Sequence, residues 1–203
     1  MNRNSIKESI HYFDTIASEW DVMCPDDERL EEILSPLSIK SGDIILDVGC
    51  GTGRLIPHIK KHAIQEGIIC GLDYSINMLS IARHKFPQGK IWFINSYAEQ
   101  LPFRNHSFDK IICFAVFPHI DHKAHAVSEF FRILKQDGIL VIFHLSSRDE
   151  LNEFHRNVNS VVSNHILPDK QEIQAMLANT GFTNIKIIDI PSLNYIECMK
   201  YIE

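Results

Sequence analysis

Apolar positions along the chain follow a helical spacing at first and then gather into short continuous runs. Residues 5–20 carry apolar side chains three or four positions apart, which predicts an amphipathic helix. Residues 26–36 show the same spacing behind a Pro-Asp-Asp start signal and predict a second helix. The first continuous run, 44–48, is short and β-branched, so it predicts a strand covered on both faces.

Strands and helices alternate along the rest of the chain. Further strands are predicted at 67–72, 91–94, 110–116, 139–143 and 185–188, and helices at 54–62, 76–86, 124–134 and 169–178. Residues 195–201 alternate enough to predict an edge strand, whereas the polar segment 147–164 predicts one helix packed weakly on the body of the protein. This alternation predicts a doubly wound α/β fold with a parallel sheet, in which ligands bind at the carboxyl ends of the strands.

Composition narrows the classes of function. The 203 residues suit one domain, so 1–203 is interpreted as a single unit. No basic run offsets the formal net charge of −6, which argues against nucleic acid as a partner because phosphate neutralisation needs clustered Lys and Arg. The apolar runs are too short for a membrane span and the N-terminus lacks an apolar signal core, so a cytoplasmic location is predicted. The five scattered cysteines indicate buried thiols rather than disulfides.

An acid and three glycines mark the end of the first predicted strand. Asp47 comes first, and Gly49, Gly51 and Gly53 follow two positions apart, so the backbone there can approach a ligand closely. The Arg-Leu pair behind them excludes a phosphate-binding loop, and the spacing differs from the Gly-x-Gly-x-x-Gly of hydride-transfer enzymes. Asp73, at the end of the second strand, suits either kind of adenosine cofactor because its carboxylate can accept hydrogen bonds from two ribose hydroxyls.

Five short segments lie along the chain in a characteristic order: ILDVGCGTG at 45–53, GLDYS at 71–75, AEQLPF at 98–103, SFDKIICF at 107–114 and RILKQDGILVI at 132–142. Together they resemble the class I S-adenosylmethionine-dependent methyltransferases, particularly the small-molecule branch that includes the quinone-biosynthesis enzymes. YFDTIASEWD at 12–21 is similar to that family's N-terminal lead-in. The resemblance implies a seven-stranded, mostly parallel sheet with helices on both faces, an antiparallel C-terminal strand, and helices within 1–40 that cap the cofactor site.

The resemblance also implies S-adenosylmethionine as the cofactor and assigns its contacts. Asp47 and the backbone of Gly49, Cys50 and Gly51, in the turn that Gly53 completes, are expected to hold the methionine end. The other expected contacts are Asp73 at the ribose hydroxyls, Tyr74 and Met78 over the adenine face, Ala98 and Glu99 at the adenine edge, and the carbonyl of Phe114 at the methionine ammonium. Carboxylates and carbonyls suit a cofactor that carries a sulfonium and an ammonium.

Two positions depart from the family's pattern. Tyr97 stands where relatives commonly carry an Asp that contacts the adenine amino group, so Glu99 or a backbone group is expected to make that contact instead. The usual His-His after the fourth strand is replaced by Phe117-Pro118-His119. This second departure lies on the side of the site where the methyl acceptor is expected.

Three histidines are predicted to face the acceptor and are the candidate catalytic residues: His119 after the fourth strand, His144 at the end of the fifth, and His155 in the polar segment. With pKa values near neutrality, each is a candidate base or acceptor-orienting group. The alternatives are that His119 caps the next helix, His144 bonds a backbone carbonyl and His155 is solvated. A metal site from the three is chemically possible, but they lack a local ligand spacing and no metal is expected. His58 is expected at the surface of a helix.

Aromatic side chains supply the candidate acceptor pocket. Tyr12, Phe13 and Trp20 in the first helix are candidates, and so is Phe117 after the fourth strand. Trp92, by contrast, is expected in the core, as most aromatics in strands are.

These observations predict an enzyme that transfers a methyl group from S-adenosylmethionine to a small-molecule acceptor. Its pocket is expected to be closed by the N-terminal helices within 1–40 and by the segment 147–167, which is a candidate lid. Two rival interpretations stay open: a non-catalytic module that binds the same cofactor, and an NAD-dependent oxidoreductase. The sequence assigns neither the acceptor nor the atom that is methylated, and it suits a monomer or a homodimer.

Overall fold

A computed structural model describes residues 3–62, 67–158 and 160–201 of the chain. The helices are α1 (Arg3–Ile16), α2 (Trp20–Met23), α3 (Arg29–Leu34), α4 (Ile56–His62), α5 (Ile76–Lys85), α6 (Lys123–Ile133), α7 (Arg148–Asn157) and α8 (Lys170–Thr180). The strands are β1 (Ile44–Val48), β2 (Ile68–Asp73), β3 (Ile91–Asn95), β4 (Phe108–Phe114), β5 (Leu134–His144), β6 (Phe182–Ile190) and β7 (Leu193–Lys200).

The described strands form one sheet in the order β3-β2-β1-β4-β5-β7-β6. β3, β2, β1, β4 and β5 are parallel, and β7 is antiparallel to both β5 and β6. The strand order reverses at β1, because the chain goes to β2 on one side and later returns to β4 on the other. Doubly wound sheets bind ligands at such a switch point. The seven-stranded, mostly parallel sheet with an antiparallel C-terminal strand is therefore confirmed.

β1 is buried because its side chains are apolar on both faces. Ile45 packs in a hydrophobic cluster with residues of α3 and α4, and Leu46 packs in a second cluster with residues of α6 and α8. Both side chains are fully buried, so truncating either to Ala is expected to cost about 2–5 kcal/mol. Helices on both faces of the sheet thus hold the end of β1 in a fixed position.

β7 is an interior strand, so the prediction that 195–201 forms an edge strand is wrong. A tight turn at Ser192, whose φ is +65°, folds β7 back between β5 and β6. Ile196, for example, pairs with Ile142 on one side and with Ile187 on the other. Alternation of side chains indicates a strand but does not fix its place in the sheet.

The segment 147–164 is packed more closely than its polarity suggests. Ser147 and Glu150 form a capping box that begins α7. Asn152 is 1% exposed and exchanges two hydrogen bonds with the backbone of Leu167, at 3.0 and 2.8 Å. The prediction of weak packing is wrong because polar side chains of α7 satisfy the backbone that leads towards α8.

Two other side chains lie differently from expectation. Trp92 was expected in the core but is 64% exposed, because β3 is an edge strand of the sheet. His58 was expected at the surface but is 4% exposed, and its Nε2 lies 2.7 Å from Oδ1 of Asp26, which joins α4 to the N-terminal segment. The cysteines are free thiols, and all except Cys24 are buried. Among the described helices, none has the length and apolar content needed to cross a membrane.

Candidate functional site

The carboxyl ends of β2, β1 and β4 bring three predicted site residues to one edge of the sheet. Asp47 is in register with Gly71 of β2 and with Ile112 of β4. Asp73 and Phe114 therefore lie two residues further along the neighbouring strands than Asp47 does. The glycine turn starts at the same edge, so its backbone and the two carboxyl groups meet at the switch point of the sheet.

The glycine turn lies directly against the loop that follows β4. Gly49 has a φ of +67°, and a Cβ atom built there would lie 2.2 Å from Cγ2 of Val116. Gly51 has a φ of +53°, and its Cβ would lie 3.6 Å from Nε1 of Trp20. Cys50 donates its backbone N–H to a carbonyl of β2 at 3.0 Å, which fixes the turn. At Gly49 the left-handed backbone and the close contact both require glycine.

Asp73 ties the glycine turn to the start of α5. Its Oδ2 accepts a hydrogen bond from the backbone N–H of Gly51 at 2.9 Å, and its Oδ1 accepts one from Ser75 at 2.8 Å. Burial raises the pKa of Asp73 to about 6, although these backbone hydrogen bonds favour the ionised form. At neutral pH the carboxylate is mostly ionised and keeps acceptor capacity for the hydroxyls of a ligand.

Asp47 places a buried carboxyl group in the wall of the site. It is 1% exposed, and its Oδ2 has no hydrogen-bond partner among the described residues. Burial raises the pKa of Asp47 to about 8, and the nearby Asp73 adds to this shift. A buried carboxyl oxygen without a partner is unfavourable until a donor or a cation reaches it. The end of β1 therefore suits a ligand that carries a cationic group.

A cavity of about 1080 Å³, a volume that includes its open mouth, lies over this edge of the sheet. The predicted cofactor residues that line it are Asp47, Gly49, Cys50, Gly51, Asp73, Tyr74, Met78, Ala98, Glu99 and Phe114. Phe13 and Trp20 from the predicted acceptor pocket also line it, and so does His119. The structure thus brings the expected cofactor residues, two aromatic side chains and one candidate histidine around a common space.

Three of the predicted cofactor and acceptor-pocket residues do not line this cavity. Gly53 faces α5, where a Cβ atom would lie 2.7 Å from the ring of Phe86, so it serves packing. Phe117 is 1% exposed and packs in the core. Tyr12 makes an edge contact with Phe13, at 5.2 Å between ring centres, and supports that ring from outside the cavity.

Two aspartates that sequence reasoning missed fasten the N-terminal helices beside the cavity. Asp14 of α1 accepts a hydrogen bond from the hydroxyl of Ser75 at 2.5 Å. Asp21 of α2 accepts one from Thr52 at 2.6 Å and forms an ion pair with Lys85 at 2.5 Å. Their partners are distant in sequence, so no local pattern indicated these contacts.

The candidate histidines lie close together, with a fourth histidine that sequence reasoning missed. Nδ1 of His119 lies 2.8 Å from Nδ1 of His165, and the ring centres of His119 and His155 are 5.1 Å apart. His155 donates from Nδ1 to the carbonyl of His165 at 2.5 Å. Burial, together with the neighbouring His165, holds the pKa of His119 well below its usual range. Among these, His119 is the histidine that lines the cavity.

His144 ends β5, and neither of its ring nitrogens has a hydrogen-bond partner within the described ranges of the chain. It is 2% exposed, and burial lowers its pKa to about 3. The alternative roles considered for His119 and His155 do not hold. The helix that His119 was expected to cap begins after His122, and His155 is 4% exposed and therefore not solvated. Across the part of the chain that the structure describes, no group of three or more His, Cys, Asp or Glu is arranged to hold a metal ion.

Two charged residues of the cavity wall were also missed. Arg54 directly follows the glycine turn, and its guanidinium lies 5.1 Å from the centre of the Phe114 ring. Its Nε is buried and has no partner among the residues that the structure describes. Asp121, in the loop after β4, has a buried Oδ2 that no other described residue contacts by a hydrogen bond. The position of Arg54 directly after the glycines could have indicated from the sequence that it lies at the site, whereas Asp121 stands in no recognisable motif.

The cavity offers acceptors where a cationic adenosine cofactor needs them. Asp47 faces the cavity without a partner, Asp73 has acceptor capacity for ribose hydroxyls, and the Tyr74 ring offers an apolar face for a base. A pyrophosphate at the glycine turn would instead lie against the buried carboxyl group of Asp47, which is unfavourable for an anion. These residues therefore fit S-adenosylmethionine better than NAD.

Comparisons with known proteins agree with this geometry. Residues 46–142 match a family model described as a methyltransferase domain. The chain is 36% identical over 133 residues to an uncharacterized protein of Methanocaldococcus jannaschii, covering 64% of this chain and 49% of that protein. It is 27% identical over 156 residues to the demethylmenaquinone methyltransferase of Lactiplantibacillus plantarum, covering 68% of this chain and 66% of that enzyme. The chain thus spans between about half and two thirds of these two relatives.

A crystal structure of an S-adenosylmethionine-dependent methyltransferase from Aquifex aeolicus has the same fold. The TM-score is 0.72 at 18% sequence identity, and the match covers 92% of this chain and 98% of that one. At this identity the likeness concerns the fold alone, while the family match over 46–142 concerns the sequence of the glycine turn and the strands around it. Residues 46–142 therefore carry a methyltransferase domain, and the chain has the fold of the class I S-adenosylmethionine-dependent methyltransferases, a family whose methyl donor is S-adenosylmethionine.

Proposed function

We propose that the chain transfers a methyl group from S-adenosylmethionine to a small-molecule acceptor bound in the same cavity. The observation that carries this proposal is the buried carboxyl of Asp47 at the switch point of the sheet, whose Oδ2 has no hydrogen-bond partner in the described structure. The ammonium group of S-adenosylmethionine supplies the missing partner, because a charge-assisted hydrogen bond offsets the burial of a carboxylate.

The methionine end of the cofactor is assigned to the region between β1 and β4. Asp47 and the carbonyl of Phe114 receive the ammonium. The backbone of Gly49 is assigned to the carboxylate, because the N–H groups of Cys50 and Gly51 already donate to Leu72 and Asp73. Arg54 is a further candidate for the carboxylate, since it lines the cavity with its Nε unpartnered and a guanidinium binds carboxylates in a bidentate manner.

The adenosine end is assigned to the region beyond β2. Asp73 accepts from the ribose hydroxyls, Tyr74 and Met78 cover the adenine face, and Ala98 and Glu99 lie at the adenine edge. All five residues line the cavity on the side of β2 and β3. This arrangement orients the other end of the cofactor towards the loop after β4, where His119 lies.

When bound, S-adenosylmethionine supplies an electrophilic methyl group on a sulfonium. The chain's own contribution is to hold the acceptor in line with that methyl and to exclude water, and such positioning accounts for much of the rate in reactions of this kind. Phe13 and Trp20 line the cavity next to the glycine turn and form its aromatic wall. Ion pairing and hydrogen bonding through Asp21 hold α2 at that wall.

His119 is the candidate general base for a methyl acceptor that loses a proton on methylation. It lines the cavity, and its ring is fixed by an edge contact with Phe13 at 5.2 Å between ring centres. Its lowered pKa keeps the imidazole neutral at neutral pH, so a lone pair is present on one ring nitrogen. His144 and His155 lie outside the cavity wall and are assigned to the support of His119 rather than to contact with the acceptor.

A small molecule is favoured as acceptor over a macromolecule for two reasons. The net charge of −6 disfavours nucleic acid, and the cavity places the aromatic wall and His119 beside the cofactor residues rather than on an open face. The named relative from Lactiplantibacillus plantarum is a demethylmenaquinone methyltransferase, and the ring of Phe13 offers a flat acceptor of that type a stacking partner.

Transfer of labelled methyl groups tests the proposal. The purified chain is incubated with S-adenosylmethionine labelled in its methyl group and with a cell extract separated into small-molecule, nucleic-acid and protein fractions. Label is expected in the small-molecule fraction, to be lost with Asp47→Asn and retained with Glu19→Ala, which removes an exposed carboxyl outside the cavity. Label in a macromolecular fraction contradicts the small-molecule assignment, and cofactor binding without transfer to any fraction identifies a non-catalytic binding module.

A further inference from the structure

His119 and His165 form a direct imidazole pair beside the cavity. Their Nδ1 atoms are 2.8 Å apart, and their ring centres are 5.0 Å apart with an interplanar angle of 70°. Two lone pairs or two N–H groups would repel each other at this distance, so one Nδ1 carries a proton and the other accepts it. The pair therefore fixes the tautomer of each ring, which decides what each remaining Nε2 can do.

Two unpartnered atoms near the pair indicate which ring donates. Nε2 of His165 and Oδ2 of Asp121 are both buried, and neither has a hydrogen-bond partner in the part of the chain that the structure describes. Burial lowers the pKa of His165, and His155 and Lys123 lower it further, while the carboxylate of Asp121 opposes them. Asp121 favours a proton on His165, and because Nδ1 of that ring already faces Nδ1 of His119, we assign this proton to Nε2. A neutral His165 with that proton has its lone pair on Nδ1, so His119 is the donor of the shared hydrogen bond.

We propose that His165 is the positioning residue for His119, holding the proton of His119 on Nδ1 so that its Nε2 is free to accept a proton from the methyl acceptor. This inference rests on the proposed function, in which the acceptor binds beside His119. A sequence pattern does not indicate it, because His165 is 46 positions away and reaches His119 through the segment between α7 and α8.

The proton step is balanced within this group of residues. The electron pair of the acceptor's bond to hydrogen forms its new bond to the methyl carbon, and the pair of the broken carbon–sulfur bond stays on sulfur. The released proton moves to Nε2 of His119. The resulting imidazolium donates from Nδ1 to His165, the ring on which the negative charge of Asp121 acts.

The other groups around His119 favour its return to the neutral state. His144, His155 and Lys123 all disfavour a positive charge on His119, in addition to the effect of burial and of His165. A proton taken up during methyl transfer is therefore held only briefly and is passed on to solvent before the next turnover.

A purely structural role for His165 is the competing explanation. His165 is 3% exposed, and its backbone carbonyl accepts a hydrogen bond from His155, so the residue also ties the segment before α8 to α7. That role needs the shape of the side chain but not an acceptor at the position of Nδ1. His165→Leu and His165→Asn separate the two explanations, because Asn provides an acceptor oxygen near the position of Nδ1 and Leu does not.

The tautomer of His119 is measured by two-bond ¹H–¹⁵N correlation spectra of the full chain labelled with ¹⁵N-histidine, without cofactor or acceptor. His119→Gln assigns the resonance. The wild-type chain is expected to show the Nδ1–H form of His119, with His165→Asn retaining it and His165→Leu shifting most of the population to the Nε2–H form. An Nε2–H form in the wild type, or no change with His165→Leu, overturns the proposal.

Calorimetry with S-adenosylmethionine on the same samples keeps this test apart from the proposed function. The affinity of the three proteins is expected to agree within about 2-fold, since His165 does not line the cavity. Failure of the wild type to bind the cofactor would count against the proposed function. The NMR spectra would still show whether His165 sets the tautomer of His119. If circular dichroism shows that His165→Leu does not fold, the tautomers of His119 in the wild type and in His165→Asn still decide whether the proposal holds. With an acceptor found by label transfer, kcat is expected to fall about 10- to 100-fold in His165→Leu and to stay within about 3-fold in His165→Asn.

Discussion

The hydroxyl of Thr52 donates a hydrogen bond to Oδ1 of Asp21 at 2.6 Å, and this contact joins α2 to the glycine turn. The other carboxyl oxygen of Asp21 pairs with Lys85 of α5 at 2.5 Å. Lys85 also donates to the carbonyl of Thr52 at 3.2 Å, so three elements meet at one small network. Trp20, the neighbour of Asp21, is thereby held against Gly51 in the cavity wall.

Asp21→Ala is expected to weaken binding of S-adenosylmethionine by roughly 3- to 10-fold. The loss is modest because the Asp21 side chain is 46% exposed and its ion pair is screened by solvent. Calorimetric titration measures the affinity, and limited proteolysis is expected to cut the N-terminal helices faster in the variant. Glu19→Ala removes the same charge from an exposed position and serves as the control. Equal affinities for the two variants would show that α2 does not shape the site.

Gly49→Ala is expected to abolish detectable cofactor binding. The new Cβ would lie 2.2 Å from Cγ2 of Val116, so either the turn or the loop after β4 must move, and both line the cavity. Gly42→Ala is the matched control, because its φ is also positive, at +90°, but no atom lies within 4 Å of the added carbon. That variant is expected to lose only about 1 kcal/mol of stability and to bind normally. Normal binding by Gly49→Ala would contradict the assignment of the turn.

The sheet could be predicted from the sequence because each strand carries its own signal. The apolar run 44–48 and the glycines behind it specify a buried strand and a close turn through local chemistry alone, and the structure places both at the switch point. The position of β7 could not be predicted in the same way. Its alternating pattern is the same whether it pairs with one neighbour or with two.

The site could be predicted only where its residues lie within motifs. Asp47 and Asp73 stand in matched segments and both line the cavity. Asp21 and His165 act across long sequence separations, through contacts that depend on how α2 and the segment before α8 pack. His58 was misplaced for a related reason: its helix looks polar, but carboxylates from the N-terminal segment cover it.

Binding of S-adenosylmethionine near neutral pH is expected to release about one proton from the protein. Asp47, with a pKa of about 8 in the empty site, is largely protonated at pH 7, and an ammonium beside it favours the ionised form. Titrations in buffers with different ionisation enthalpies measure the release. It is expected to disappear with Asp47→Asn and to decline above about pH 9, where the carboxyl is already ionised. Unchanged proton release in Asp47→Asn would show that another group loses the proton.

The raised pKa values of Asp47 and Asp73 also predict how the stability of the protein without cofactor depends on pH. Because these pKa values are higher in the folded protein than in the unfolded chain, the folded protein binds more protons from about pH 4 up to the raised pKa values of about 6 and 8. The contribution of Asp47 and Asp73 to stability is therefore present below about pH 4 and is lost as pH rises through about 6 and 8. Thermal unfolding without cofactor should show a decline across this window that Asp47→Asn reduces. A rise in stability across it would contradict the burial of these acids.

Arg54→Leu is expected to weaken binding of S-adenosylmethionine roughly 10-fold, through loss of a charged partner for the carboxylate. Decarboxylated S-adenosylmethionine lacks that group, so its affinity is expected to be the same for the variant and the wild type. Arg104→Leu removes an exposed arginine that lies outside the cavity and is the control. If Arg54→Leu weakens both ligands equally, the side chain supports the site through packing on Phe114 instead.

Calorimetric titration of the purified chain with S-adenosylmethionine, and separately with NAD, tests the central claim most directly. The account predicts binding of S-adenosylmethionine at one site per chain, weakened roughly 10- to 100-fold by Asp73→Ala because the ribose hydroxyls lose their acceptor. It predicts no heat with NAD, whose pyrophosphate would lie at the glycine turn against the carboxyl group of Asp47. Binding of NAD without binding of S-adenosylmethionine would contradict the account.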